Sequence, residues 1–254
     1  MNLLYILGSF ILLMMLLERL FPRQDLPVSP RFYAKIVFII GIQVSAVYLG
    51  GIVWSTWMGG AHFMTLTSLV PSDLAYLIVF VVYTFIYYWW HRLKHTGFFW
   101  RAGHQLHHSP GRIEAVVGTY QHPLEIYINV FVNSGIYYGL FNLKPVEAAC
   151  FGLFIGMVDI FQHTNIKTPR FIGYFVMRPE MHIVHHNRGQ HCYNFGFWPW
   201  WDMLFGTYRN PSHAKNEFGF KPERERRFFD MLILLKNVNG PAKQTRLQEK
   251  PLTQ

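Results

Sequence analysis

The stretch LAYLIVFVVYTFIYYWWHRLKHTGFFWRAGHQLHH, Leu74–His108, runs an uncharged apolar segment directly into two groups of histidines. Leu74 to Trp90 is long enough as a helix to cross about 30 Å of hydrocarbon. Beyond it, HRLKH sets His91 and His95 four residues apart, and HQLHH sets His104, His107 and His108 at i, i+3 and i+4, spacings that share one helical face. HIVHH repeats the second pattern with His182, His185 and His186. Eight of the chain's thirteen histidines lie in these three clusters. A single histidine reads as a packed core or surface residue. Three clusters at ligand spacing read as a metal site, because neutral imidazole is the commonest protein metal ligand.

Further apolar blocks lie on either side. Leu3–Leu17 and Ala34–Trp54 are nearly continuous, whereas Leu124–Phe141 and Val146–Phe161 flank a short Asn142–Pro145 connection and read as a helical hairpin. Asn129, Asn133, Glu147 and Asp159 make that hairpin a poorer pair of spans, crossing the membrane or dipping into it. The first block lacks a basic n-region and a small-residue cleavage site, so it reads as a retained anchor. Arg19, Arg23, Arg31 and Lys35 lie between the first two blocks, while Ser55–Ser72 carries no Lys or Arg. Positive-inside logic therefore places the first loop in the cytoplasm and the second outside. The span of Leu74–Trp90 then delivers the first histidines to the cytoplasmic face, and the hairpin returns His163 to the same side.

Trp100–His108 and Glu180–Asn187 read as short helices on that face, the second opened after Pro179. Phe228–Lys236 is too short to span and reads as an interfacial segment; a polar tail follows from Asn237. The net charge of +9 comes without a basic run interleaved with aromatics, which argues against nucleic acid and for anionic headgroups or an acidic protein partner. Two cysteines, Cys150 and Cys192, make no disulfide framework; Cys192 reads as a packed thiol, with a soft metal ligand as the alternative.

A structural zinc site needs four ligands, usually with cysteine among them, so eight clustered histidines imply two metals. His163, in FQHTN at the returning end of the hairpin, adds a ninth donor. Soluble di-iron bundles use Glu and Glu-x-x-His pairs, and no Glu-x-x-His occurs here. A histidine-rich iron pair at a membrane surface suits oxygen activation and attack on an inert C–H bond, although imidazole also suits zinc, copper and nickel. Ligating imidazoles usually donate their second N–H to a carboxylate or carbonyl, for which Asp202, Asn194 and Glu180 are the nearest candidates. Asp202 reads alternatively as a helix N-cap. Asp159, one turn before His163, either orients it or lines a wet cavity. His191, five residues past the third cluster, reads as a loop histidine with a further ligand as the alternative, and His62 and His213 are expected away from the metals. The aromatics of Tyr83–Trp90 and Trp198–Trp201 read as an interfacial belt or as the wall of a channel for a hydrocarbon chain.

The order and spacing HxxxH, HxxHH and HxxHH, followed by NFGFWPWWDMLFGTY at Asn194–Tyr208, resembles the fatty acid hydroxylase and sterol desaturase superfamily; HPLE at His122–Glu125 and FQHTN at Phe161–Asn165 are similar to it as well. The resemblance covers about Trp89–Tyr208. It implies a non-haem di-iron oxygenase that uses O2 and two electrons to hydroxylate or desaturate a lipid. His91, His95, His104, His107, His108, His182, His185 and His186 would be ligands, with His163 a ninth. His122 would be a further ligand or a donor held by Glu125. The chain has no HPGG haem motif and no G-x-G-x-x-G fingerprint, so electrons are expected from a separate ferredoxin, cytochrome or reductase.

The expected fold is all-α: an integral membrane helical bundle under a cytoplasmic histidine-rich di-metal cap, in a bacterial inner membrane or the endoplasmic reticulum. Residues 1–72 form a two-span anchor region, 73–210 the membrane-embedded histidine-box hydroxylase/desaturase domain, and 211–254 a cytoplasmic tail. Two iron ions and O2 are the expected cofactor and co-substrate, and a bilayer lipid the substrate. A carotenoid ring hydroxylase is the alternative enzyme, and a metal-transport or metal-sensing protein the non-enzymatic one. Transport sites tend to lie near the bilayer midplane, whereas these clusters fall at the ends of the apolar blocks.

Overall fold

A computed structural model describes residues 3–212, 217–233 and 236–238. Among the described residues the regular structure is all helical, with isolated bridges in place of strands. Its long helices are α1 (Leu3–Leu20), α2 (Pro30–Gly59) and α3 (Ser72–Lys94). Next come α4 (97–107), whose Trp100–His104 stretch is π-helical, and α5 (Pro123–Ser134), which continues as a π-helical turn over Gly135–Leu140. Then follow α6 (Pro145–Gln162), α7 (Pro179–His186), α8 (Pro199–Leu204) and α9 (Phe228–Leu232). Proline opens α2, α5, α6, α7 and α8. Its fixed φ suits the first helical position, where its missing N–H costs nothing.

Among the described residues four helices, α1, α2, α3 and α6, are long and apolar enough to cross a membrane. Their outward side chains are themselves apolar, among them Leu12 and Leu16 on α1 and Val37, Phe38 and Ile52 on α2. That is the pattern of a helix solvated by lipid. The polar residues of the hairpin are used internally. Glu147 accepts the Lys144 N–H in a capping box that opens α6, and Asn142 turns the chain with a positive φ of 51°. Asn129 takes the Trp90 indole N–H, and Asn133 the Tyr83 hydroxyl, each joining α5 to α3. Packing against α2 is tight: a Cβ on Gly50 would fall 2.3 Å from Val130 Cγ1.

The C-terminal ends of α1, α3 and α6 and the start of α2 share one end of the bundle. There Glu18, buried at the foot of α1, accepts the N–H groups of Ala115 and Asn165, and Glu114 is held by Arg19, Arg112 and Tyr33. At the other end, the Phe63 N–H donates to Gly139 O and Asn142 donates to Thr65. Helices α4 and α7 cap the first end. The expected interfacial segment is only in part superficial. Phe228 and Met231 of α9 are buried in the same core as Trp100, Leu106 and Ile126, while Phe229 and Ile233 face outward. His213, and the tail beyond residue 238, lie outside the described residues.

Candidate metal centre

Each histidine cluster is carried on a helix or helix end. His91 sits in the last turn of α3 with His95 at its C-cap, His104, His107 and His108 lie at the end of α4, His163 caps α6, and His182, His185 and His186 lie on α7. All nine are buried. They converge into two groups, His91, His95, His104, His108 and His185 in one and His107, His163, His182 and His186 in the other, each with its ligand atoms within 4.8 Å of one another. The boxes interleave. The i, i+4 pairs His104/His108 and His182/His186 stay together, while His107 and His185 turn into the opposite group. His108 and His186 stack at 4.2 Å between the two.

Five rings have their Nδ1 committed. His91 donates to Phe195 O at 2.7 Å, His185 to Tyr193 O at 2.8 Å, His107 to Tyr120 O at 3.3 Å and His163 to the Asp159 carbonyl at 2.7 Å. His104 donates to Glu125 Oε1 at 2.9 Å. A neutral imidazole with its proton on Nδ1 presents a bare lone pair at Nε2. Yet His91 Nε2 faces His104 Nε2 at 3.2 Å, and His163 Nε2 faces His107 Nε2 at 3.3 Å. Two lone pairs meeting without a proton repel unless a cation lies between them, and each group contains such a pair. Further Nε2 to Nε2 separations of 2.9–3.2 Å match neighbouring vertices of a shell with metal–nitrogen bonds of about 2.0–2.1 Å. The donor sets therefore fit metal ions. Burial, with neighbouring histidines adding to it, holds the imidazoles of His95, His108 and His186 in their neutral, ligating form and pushes His185 down to about 3.

Carboxylates and amides predicted near the metals act at different removes. Glu125 is buried and bonds His104, not His122. His122 lies outside both groups: its Nδ1 accepts the Leu124 N–H as the N-cap of α5, and its Nε2–H donates to Leu232 O. Asp159 lines the cavity that the histidines wall and accepts from Gln162, with its carboxylate 3.7 Å from His163 Nδ1. Glu180 holds Thr168 and Arg178 and reaches no histidine. His191 donates to His185 O and His62 to Gly59 O; both lie outside the two groups, as do Cys150 and Cys192.

Asn194 and Asp202 act through the backbone. Asn194, at φ 55°, donates to the carbonyls of Met181 and Arg209 and accepts the Arg209 N–H. Asp202 lies inside α8, not at its N-cap, and accepts from the N–H groups of Phe195 and Gly196 and from Thr207. Together they fix the 193–196 loop, whose carbonyls at 193 and 195 orient His185 and His91. This gives a physical account of the NFG and WDMLFGT segments.

The fatty acid hydroxylase family model matches residues 76–207, more than half of the sequence and the whole of this site. The chain belongs to the fatty acid hydroxylase family. It is 31% identical over 152 residues to human alkylglycerol monooxygenase, which covers 58% of this chain and 32% of the relative. Similarity extends to the Arabidopsis thaliana protein CER1-like 2 (26% over 154 residues; 56% and 25% of the two chains) and to a very-long-chain aldehyde decarbonylase, GL1-4, of Oryza sativa subsp. japonica (25% over 155 residues; 56% and 24%). The chain thus matches about a quarter to a third of the length of these relatives. No solved structure matches.

The sequence reading of this fatty acid hydroxylase chain missed Lys94, Gln121, Gln162 and Phe197, which line the histidine-walled cavity together with Tyr87 of the Tyr83–Trp90 aromatics. Phe197 stacks on Tyr87 at 4.2 Å, Trp198 meets Phe80 edge-on at 4.6 Å, and Trp201 donates to Thr84. Trp198 and Trp201 therefore pack along the middle of α3, while Trp200 is exposed and donates to Tyr174 O.

A Cβ on Gly103 would lie 2.6 Å from Glu125 Cβ, so Gly103→Ala must push α4 from α5; a loss of about 1–3 kcal/mol is expected in thermal melting. Burial raises Asp202 to about 6 from 3.8, against the pull of its Thr207, Gly196 and Phe195 hydrogen bonds. A raised acid binds its proton more tightly when folded, so its stabilisation is complete below pH 3.8 and is lost as pH rises through about 6. Relative to Asp202→Asn, the native chain should lose about 3 kcal/mol across that window, read by melting at several pH values.

Proposed function

We propose that this chain is a membrane-bound non-haem di-iron oxygenase that hydroxylates, or desaturates, a C–H position of a lipid with O2 and two electrons from a separate donor. The observation that carries this reading is the pair of adjacent histidine groups whose Nε2 lone pairs face each other at the end of a bundle of apolar helices. The larger group, His91, His95, His104, His108 and His185, would hold one ion, and His107, His163, His182 and His186 the other. Two iron ions held there supply oxygen activation for attack on an unactivated C–H bond. Family membership and the monooxygenase and decarbonylase names among the relatives support a lipid substrate.

The protein's own part is to bind and to exclude. Tyr87 and Phe197 flank the cavity from α3 and the 195–198 segment and would set an apolar wall against a hydrocarbon chain. The carbonyls of Phe195, Tyr193, Tyr120 and Asp159 hold the Nδ1 protons of their ligands, keeping each Nε2 free. Orientation is supported by Arg19 and Arg23, which lie at the metal end and bond Glu114 and Asn165. Under the positive-inside rule that end faces the cytoplasm.

The test is metal analysis of detergent-purified protein, paired with lipid profiling of cells with and without the gene under air. About two irons per chain are expected, with an oxygen-dependent lipid product that gains one oxygen or loses two hydrogens. Absence of a metal pair together with an unchanged lipid profile would overturn the reading.

A further inference from the structure

We propose that Lys94 is a positioning residue of the metal centre: its ammonium holds the Glu125 carboxylate against His104 and cancels its charge, so that this imidazole is oriented without net negative charge being added beside the metals. The inference rests on the oxygenase reading only in taking the two histidine groups as metal sites.

Lysine near the end of a membrane span ordinarily extends its stem and places its ammonium in water. Lys94 does the reverse. It lies between His91 and His95 in the last turn of α3, is 3% exposed, and turns its side chain into the cavity that the histidines line. Its Nζ is 3.1 Å from Glu125 Oε1 and 5.3 Å from the centre of the Tyr87 ring. The same oxygen takes the Nδ1–H of His104 at 2.9 Å. Three helices, α3, α4 and α5, thus meet at one carboxylate oxygen, and α5 comes close enough because residue 103 has no side chain.

Electrostatics explains why a lysine belongs there. A carboxylate on the far nitrogen of a ligand fixes the ring and raises its basicity, but a buried carboxylate without a counter-ion is strongly disfavoured. Of the three rings with Nδ1 committed in the larger group, His91 and His185 use neutral carbonyls, which bring no charge. His104 alone among them uses a carboxylate, and Lys94 is the ammonium that neutralises it.

The test is a charge cycle on iron-loaded, detergent-purified protein: Lys94→Met, Glu125→Gln and the double variant, with the midpoint potential of the metal centre read by redox titration. Removing the positive charge favours the oxidised metals and should lower the potential. Removing the negative charge should raise it, Gln retaining an acceptor for His104. The double variant should return close to wild type, and Lys94→Arg should stay near it. A purely structural lysine has no reason to produce shifts of opposite sign. An unchanged potential in Lys94→Met, or shifts of the same sign in both single variants, would overturn the proposal.

A second cycle, thermal melting of the metal-free protein, is independent of loading. Each single variant should melt lower than wild type, and the double variant should lose less than their sum; strict additivity would overturn the clamp. A wild-type chain that takes up no metal pair defeats the oxygenase reading, and the melting cycle then decides the clamp by itself.

Discussion

His104→Ala is expected to empty the larger histidine group while leaving the smaller one loaded. Metal content should fall from about two ions per chain to about one, and oxygen-dependent product formation by more than the 10–100-fold typical of losing an outer-shell partner. The size of the effect follows from the position of His104. Its Nε2 lies 3.2 Å from that of His91, 3.0 Å from that of His95 and 3.2 Å from that of His108, so it is the nitrogen that the others surround. Its loss also strands Glu125 with Lys94 as its only polar partner among the described residues. The smaller group keeps all four of its donors, because His104 takes no part in it. Metal analysis by mass spectrometry, alongside product formation, checks both halves. Loss of both ions together would show that the two groups are not separable sites, and retention of both would remove His104 from the ligand set.

The all-α architecture and the histidines that converge were legible because both depend on spacing along single helices. Leu74–His108 carries a span and two boxes, and each box keeps its own helical spacing although the helix ends at Lys94 and a new one starts at Gly97 between them. How the boxes divide was not legible. The assignment of His107 and His185 to opposite groups depends on how α4 and α7 are rotated against each other, and α4 carries a π-helical turn at Trp100–His104 just before its ligands. Glu125 shows the same limit. It lies three residues from His122 in sequence, but α5 turns its carboxylate to α4, while His122 is occupied in capping α5 and meeting Leu232. Lys94 was hidden by a sound rule, since a lysine at the end of a span reads as an interfacial anchor. For Asn194 and Asp202 the sequence marked the right residues for a different task, because a side chain that orients a ligand through a loop carbonyl leaves no signature in spacing. The polar residues of the Leu124–Phe161 hairpin made it read as a poor pair of spans. In the structure α6, capped by Glu147, is apolar enough to cross, whereas α5 is not among the described helices that are, and its Asn129 and Asn133 bond to α3.

Arg178→Ala is expected to cost about 3–5 kcal/mol, the range for removing one partner of a buried ion pair, although Arg178 contacts none of the nine histidines. The residue is 1% exposed and stands at the N-cap of α7, the helix that carries His182, His185 and His186. Its guanidinium donates through Nε to Asn210 Oδ1 at 2.7 Å and through Nη1 to Thr168 O at 2.9 Å, pairs with Glu180 Oε2 at 2.9 Å, and reaches Pro211 O through Nη2. One planar fork thus joins the start of α7 to the 168–170 and 210–211 segments. Alanine removes the donors to the Thr168 and Pro211 carbonyls and to the buried Asn210 Oδ1 and leaves Glu180 without this guanidinium, and the least costly relief is for α7 to shift. Because α7 supplies two of the four donors of the smaller group and one of the five of the larger, the smaller group should lose its metal first. Arg178→Lys should recover only part of the loss, since an ammonium is a point charge and cannot reproduce the directed donors of a guanidinium. Thermal melting with metal analysis on the same samples reads both effects. If the alanine variant melted like wild type and kept both ions, α7 would have to be held in place by its apolar contacts, Met181 and Ile183, without help from the buried arginine.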